Sequence, residues 1–163
     1  MSGTRWHCTV DQALDPLEAF RQARATVFAS GSYVGPGGTT SDGQPDPRPR
    51  PDAIEEVLEA QHIDDTCGTS SILDIAHFEI EGGPPRPRWK HVNPFTRSNE
   101  MGGTCRLATS AELVAAFGTE RPSRDTFIAA LNRLDPRPDE ALCVLLWHDD
   151  RRTGVGFCGK SRS

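Results

Sequence analysis

The sequence lacks the features that mark membrane and secreted proteins. No apolar run approaches the roughly 20 residues that a membrane-spanning helix requires, and residues 1–10 lack the basic-then-apolar layout of a secretory signal. Lysine is nearly absent, because only Lys90 and Lys160 occur among 18 basic residues, a bias typical of a GC-rich, bacterial-type coding sequence. These observations predict a soluble cytoplasmic protein.

Cofactor and metal motifs are also missing. The five cysteines form no C-x-x-C pair, so neither a zinc ribbon nor a thioredoxin-type redox centre is indicated. The glycine-rich stretches near Gly35 and Gly102 match neither the dinucleotide fingerprint nor the P-loop. The residues that could hold a metal lack the spacing of known sites: His7, Cys8, His77, His91, Cys105 and His148. We therefore expect no metal and no cofactor.

The length of 163 residues fits one domain, and residues 1–163 are predicted to form a single α+β domain. The 15 glycines and 13 prolines indicate a large share of loop. Residues 35–51 carry almost no apolar side chains, so they bury too little surface to offset the entropy of ordering. This composition predicts a mobile Gly/Pro-rich loop within the domain.

Local patterns predict about four helices and about four strands in the order β-α-α-β-α-α-β-β. Capping signals place helices at residues 16–30, from Asp52, after Thr109 and after Ser123. The predicted strands are residues 6–10, 71–81, 141–147 and 155–158, the last two joined as a hairpin by a loop longer than two residues. We expect a small mixed or antiparallel sheet with the helices on one face and two long irregular loops.

The second irregular stretch, residues 86–97, is the basic-aromatic segment. Residues 82–98 carry four basic residues and no acid, in a chain whose net charge is −5. Arginine and tryptophan are enriched in binding hot spots, which predicts a binding site for an unidentified protein or a small anionic ligand. Nucleic acid is not expected, because the chain as a whole is acidic. The candidate binding residues are Arg86, Arg88, Trp89, Lys90, His91 and Arg97; the alternative is a solvated loop with Trp89 under the sheet edge.

Three residues are the leading candidates for catalysis, with His91 as an alternative for proton transfer and Cys105 as an alternative nucleophile. Asp74 is expected on an otherwise apolar strand face, where desolvation would raise its pKa and suit it to acid/base work. His77 could transfer protons, and Cys67, in the preceding loop, could be a nucleophile. On a regular strand Asp74 and His77 point to opposite faces, which counts against a triad. A structural role for Asp74, as a cap or in an ion pair, is the alternative.

Two functions therefore stay open. The first is a non-catalytic binding or accessory module that acts through the basic-aromatic segment. The second is a small enzyme, for example of a biosynthetic pathway, with acid/base or cysteine chemistry in a pocket between the loops and the sheet. The sequence does not indicate the oligomeric state.

Overall fold

The computed structural model of the chain describes residues 5–40, 42–54, 56, 71–78, 103–137 and 140–160. Within these residues one mixed sheet has the strand order β1-β5-β4-β3-β2. Its strands are β1 (Arg5–Val10), β2 (Ile75–Phe78), β3 (Gly103–Leu107), β4 (Glu140–His148) and β5 (Arg151–Lys160). The helices are α1 (Pro16–Ser30), α2 (Ser110–Phe117) and α3 (Arg124–Ala130), and the 3-10 turns are Ile72–Asp74 and Leu131–Arg133.

The α+β class and the mixed sheet are confirmed. β5 pairs antiparallel with β1 and with β4, whereas β3 pairs parallel with β2 and with β4. β4 lies in the middle of the sheet, which explains why its sequence is apolar on both faces. The predicted order and the count of four helices are not confirmed. The described elements include β3, which was not among the predicted strands, and the helix predicted from Asp52 lies largely outside them.

Capping residues set the ends of the helices. The Asp15 carboxylate accepts a hydrogen bond from the Leu17 N–H at the start of α1, and Gly31 ends that helix with a φ of 72°. Thr109 and Glu112 form a capping box at α2. The predicted bounds of α1, residues 16–30, are confirmed. Each end is marked by a residue next to it in the sequence, Asp15 at the start and Gly31 at the end.

Helices cover both faces of the sheet, so the expectation of one covered face is wrong. On the first, the α1 face, α1 and the turn Ile72–Asp74 pack over the inward side chains of β1, β5, β4 and β3. On the second, the α2/α3 face, Phe127 of α3 and Ala116 of α2 pack over the alternate residues of β4 and β5. Successive side chains of a strand point to opposite faces of the sheet. Because β4 has apolar residues at both odd and even positions, both faces have to be covered by helices.

Two strand predictions are corrected. The segment predicted as one strand over residues 71–81 begins with a 3-10 turn, and β2 starts only at Ile75. The β4–β5 loop is two residues long, not longer, since Asp149 and Asp150 alone separate the strands. Both have positive φ, 48° and 62°, as the favoured two-residue hairpin turns require. Aspartate tolerates this region better than most residues do.

Residues 35–51 contain hydrogen-bonded turns. The Tyr33 hydroxyl donates to the Pro36 carbonyl over 2.7 Å, and the Asp46 N–H donates to the Gly38 carbonyl over 3.0 Å. The Arg50 guanidinium lies 4.7 Å from the centre of the Phe28 ring on α1. The segment is thereby connected to the α1 face, and its mobility stays a prediction.

No helix in the described ranges is both long enough and apolar enough to cross a bilayer.

Candidate functional site

Asp74 lies at the end of the turn Ile72–Asp74, directly before β2. Its carboxylate accepts a hydrogen bond from the Ser71 N–H over 3.2 Å, and the Ser71 hydroxyl accepts one from the Leu73 N–H over 3.2 Å. Together they form a capping box on the turn. Asp74 is 1% exposed, and α1 packs against the turn. The carboxylate therefore stabilises the turn that introduces β2, at a point that solvent does not reach.

The three catalytic candidates are not brought together by the described residues. Asp74 lies in the turn, not on the strand face where the sequence placed it. His77 belongs to β2, next to a register shift between Ile75 and His77, but its side chain lies outside the described part. Cys67 also lies outside it. Their catalytic roles stay predictions.

Four other thiols occupy the interior of the sheet. Cys8, Cys105 and Cys143 lie on the α1 face, and Cys158 on the α2/α3 face. Burial raises the pKa of Cys8, Cys143 and Cys158 to about 12 and that of Cys105 well above its usual value. Because the thiolate is the nucleophile, these four thiols suit packing better than chemistry at neutral pH.

The six candidate binding residues of the basic-aromatic segment lie outside the described residues. The strands on either side of the segment are described. β2, which precedes it, is the edge strand of the sheet, and its last residue Phe78 packs on Phe20 of α1 with 5.4 Å between ring centres. β3, which follows it, pairs parallel with β2. The segment therefore lies in the chain between the edge strand β2 and the strand that pairs with it.

Metal ligation has no support in the described ranges. There, no group of three histidine, cysteine or acidic residues is close enough to hold a metal ion.

Acidic and basic side chains pair with each other near the α2/α3 face. The Arg106 guanidinium on β3 contacts Glu112 of α2 at 2.7 Å and Glu140 of β4 at 3.1 Å. These contacts lower the pKa of Glu112 to about 2, mainly through the hydrogen bond from Arg106.

Two depressions are open on the described surface. The β1 groove, about 190 Å³, lies between β1 and α1. Its lining is Cys8, Thr9, Val10, Asp11, Gln12, Gln22, Ala23, Thr26 and Val27. Among the described strands β1 is at the edge of the sheet, where one row of backbone N–H and C=O groups has no strand partner.

The second depression, the hairpin cleft of about 430 Å³, lies between the β4–β5 turn and the loop before α3. The Arg121 guanidinium stacks over the Trp147 ring at 4.6 Å and contacts Asp150 at 3.4 Å. The Trp147 backbone N–H donates to the Pro122 carbonyl over 2.9 Å, next to the register shift between Leu146 and Trp147. These contacts attach the hairpin to the α2–α3 loop.

Sequence reasoning missed both depressions. The β1 groove depends on which side of β1 is left without a strand, and that follows from a pairing between residues 5–10 and 155–160. Trp147 was predicted only as part of an apolar strand. The one local signal was the run of charges after it, Asp149 to Arg152, which is typical of a turn.

Comparisons with family models, with curated proteins and with solved structures found no match to this chain.

Proposed function

We propose that the protein is a non-catalytic binding or accessory module that recognises a partner protein or a small anionic ligand through its basic-aromatic segment. The observation that carries this proposal is the charge distribution. Residues 82–98 hold four basic residues and no acid, while the whole chain has a net charge of −5. An arginine-rich surface offers planar, bidentate recognition of carboxylates and phosphates. Interleaved aromatic rings add contact area of the kind found in binding hot spots.

The attachment of the segment supports a binding role. It follows β2, whose start is held by the capping box of Ser71 and Asp74 and whose end is held by the Phe20–Phe78 ring contact. Loops that carry function are commonly positioned by a rigid scaffold. The sheet edge supplies such a scaffold for residues on either side of the segment.

The enzymatic alternative receives less support. Asp74, the catalytic candidate whose side chain is described, is used in the capping box and is 1% exposed. A general acid or base has to come within hydrogen-bond reach of its substrate. Cysteine chemistry at the four described thiols is disfavoured by their raised pKa values.

The test is a triple charge reversal, Arg86→Glu, Arg88→Glu and Arg97→Glu. Binding of inorganic phosphate and of citrate is measured by titration calorimetry, and protein partners are compared by quantitative affinity capture. The proposal predicts that the triple variant no longer binds the anion or no longer captures a specific protein partner. A matched control reverses three exposed arginines elsewhere, Arg21, Arg133 and Arg151, and reaches the same net charge. Equal loss in both variants, or unchanged binding in the first, contradicts the proposal.

A further inference from the structure

The two edges of the sheet differ in how they are protected. β2 has four residues and a register shift within its pairing to β3. β1 pairs with β5 over six residues without a shift, from Arg5 opposite Lys160 to Val10 opposite Val155. Natural edge strands are usually blunted by proline, bulges, shortness or charge. Apart from Arg5 at its start, β1 has none of these features.

The surroundings of β1 leave space for a further strand. Among the described residues, β1 has a strand partner on one side only, and the β1 groove lies between β1 and α1. Cys8 and Val10 of β1 and Gln22 and Thr26 of α1 are part of its lining. In strand addition, main-chain hydrogen bonds supply affinity, and a neighbouring groove receives alternate side chains of the added strand.

The two ends of β1 carry opposite charges, so β1 is complementary to an antiparallel copy of itself. Arg5, at the start, is exposed, and one of its amino groups donates to the Leu134 carbonyl. Asp11, which follows the last residue of β1, has a side chain 69% exposed, and one carboxylate oxygen contacts Arg124 at 3.2 Å. Arg5 retains further N–H donors and Asp11 a second oxygen. A strand that runs antiparallel to β1 with the same sequence would bring these opposite charges together at both ends.

We propose that β1 pairs antiparallel with β1 of a second copy of this chain, about a two-fold axis at Cys8. This register sets Cys8 opposite its own copy, His7 opposite Thr9, and Arg5 opposite Asp11. Directly opposite residues lie on the same side of a sheet. The register pairs odd positions with odd and even with even, so both copies of α1 lie on one side of the continuous sheet. A shift by one residue would place them on opposite sides and would separate Arg5 from Asp11.

The dimer is expected to be weak. One strand edge and one groove make a small interface, and interfaces below about 1,200 Å² are typical of transient association. Dissociation on dilution is therefore part of the expected behaviour. This inference is independent of the basic-aromatic segment, since β1 lies at the opposite edge of the sheet from β2.

Sedimentation velocity over a concentration series tests the proposal on the full chain. The parent protein should convert from monomer to dimer as concentration rises. The single variants Arg5→Glu and Asp11→Arg should each weaken the dimer by about tenfold, because two-fold symmetry places each repulsion at both ends of the interface. The double variant Arg5→Glu, Asp11→Arg should recover the parent affinity, since the charges are then complementary again.

Arg151→Glu, an exposed residue at the start of β5 beside the β4–β5 turn, is the matched control and should leave dimerisation unchanged. Circular dichroism confirms that each variant is folded. A parent protein that stays monomeric across the series overturns the proposal. So does a folded double variant whose association stays as weak as that of the singles.

A disulfide cross-link tests the register, because the proposed pairing sets His7 of one copy opposite Thr9 of the other. In a Cys67→Ser background, the double variant His7→Cys, Thr9→Cys should form a covalent dimer under mild oxidation, since His7 is exposed and Thr9 half-buried and Cβ atoms of directly opposite residues are about 4.5–5.5 Å apart. The single variants His7→Cys and Thr9→Cys have no directly opposite thiols and are the matched controls. A double variant that dimerises by sedimentation but gives no more cross-link than the single variants overturns the proposed axis.

Discussion

The two faces of the sheet are closed in different ways. On the α1 face, Phe20 contacts both Phe78 and Phe157, with ring centres 5.4 and 6.1 Å apart, and small residues fill the space around them. On the α2/α3 face, Phe127 contacts Phe117 with ring centres 6.2 Å apart, and its ring lies directly over Gly156. The ring contacts of the α1 face therefore join α1 to both β2 and β5, whereas those of the α2/α3 face centre on Phe127.

Thiol reactivity tests whether both faces exclude solvent. A pKa of about 12 in place of 9.0 leaves roughly a thousandfold less thiolate at pH 7. Cys143 on the α1 face and Cys158 on the α2/α3 face should therefore label far more slowly in the native protein than in urea. Time-resolved alkylation with peptide mass spectrometry measures each site. Fast native labelling of Cys143 alone would show that the α1 face is the looser one.

Phe127→Ala removes the ring from the α2/α3 face. Phe127 is fully buried, and truncation of such a side chain costs about 3–5 kcal/mol of unfolding free energy. Ile128→Ala on the same helix is the control, because Ile128 is exposed, and it should cost much less. Urea unfolding followed by circular dichroism gives both values. Similar losses for the two variants would contradict the central position of Phe127.

Gly156→Ala tests the fit beneath that ring. A Cβ at position 156 would lie 2.7 Å from a carbon of the Phe127 ring. Overpacking of this kind costs about 1–3 kcal/mol, which urea unfolding should reveal. In a Phe127→Leu background the same change should cost less, because the ring that clashes is gone. Additive losses in the double variant would show that the contact does not determine the effect.

Glu112 tests the polar rim of the α2/α3 face. Its pKa is lowered from 4.5 to about 2 in the folded state, so its contribution is complete above pH 4.5 and is lost as the pH falls towards 2. Because the side chain is partly exposed, we expect about 1 kcal/mol. Glu112→Gln should remove this pH dependence, whereas Glu120→Gln, on the exposed surface, should keep it. Unfolding free energies measured between pH 5 and pH 2 decide the question.

Local signals predicted much of the fold. The caps at Asp15 and Thr109 and the glycines at 31 and 118 set helix ends through contacts within one turn, and these predictions are confirmed. β3 was missed because it begins at the second glycine of a pair and its five residues have too few alternating positions to stand out. Its partners, β2 and β4, are distant in the sequence.

The site was less predictable than the fold for a physical reason. Asp74 was identified because its neighbours in the sequence are apolar. That pattern could not show that its carboxylate would accept a hydrogen bond from the Ser71 N–H and cap a 3-10 turn. The groove beside β1 depends on strand order, which arises from pairings far apart in the chain. Composition alone carries the argument for the basic-aromatic segment, so its role is a question for the charge-reversal experiment.

The pairing of β1 with β5 has a consequence for synthesis on the ribosome. Arg5 lies opposite Lys160, so β1 cannot gain this neighbour until β5 has been synthesised. Until then α1, which follows β1, lacks the strands that bury its apolar side in the folded protein.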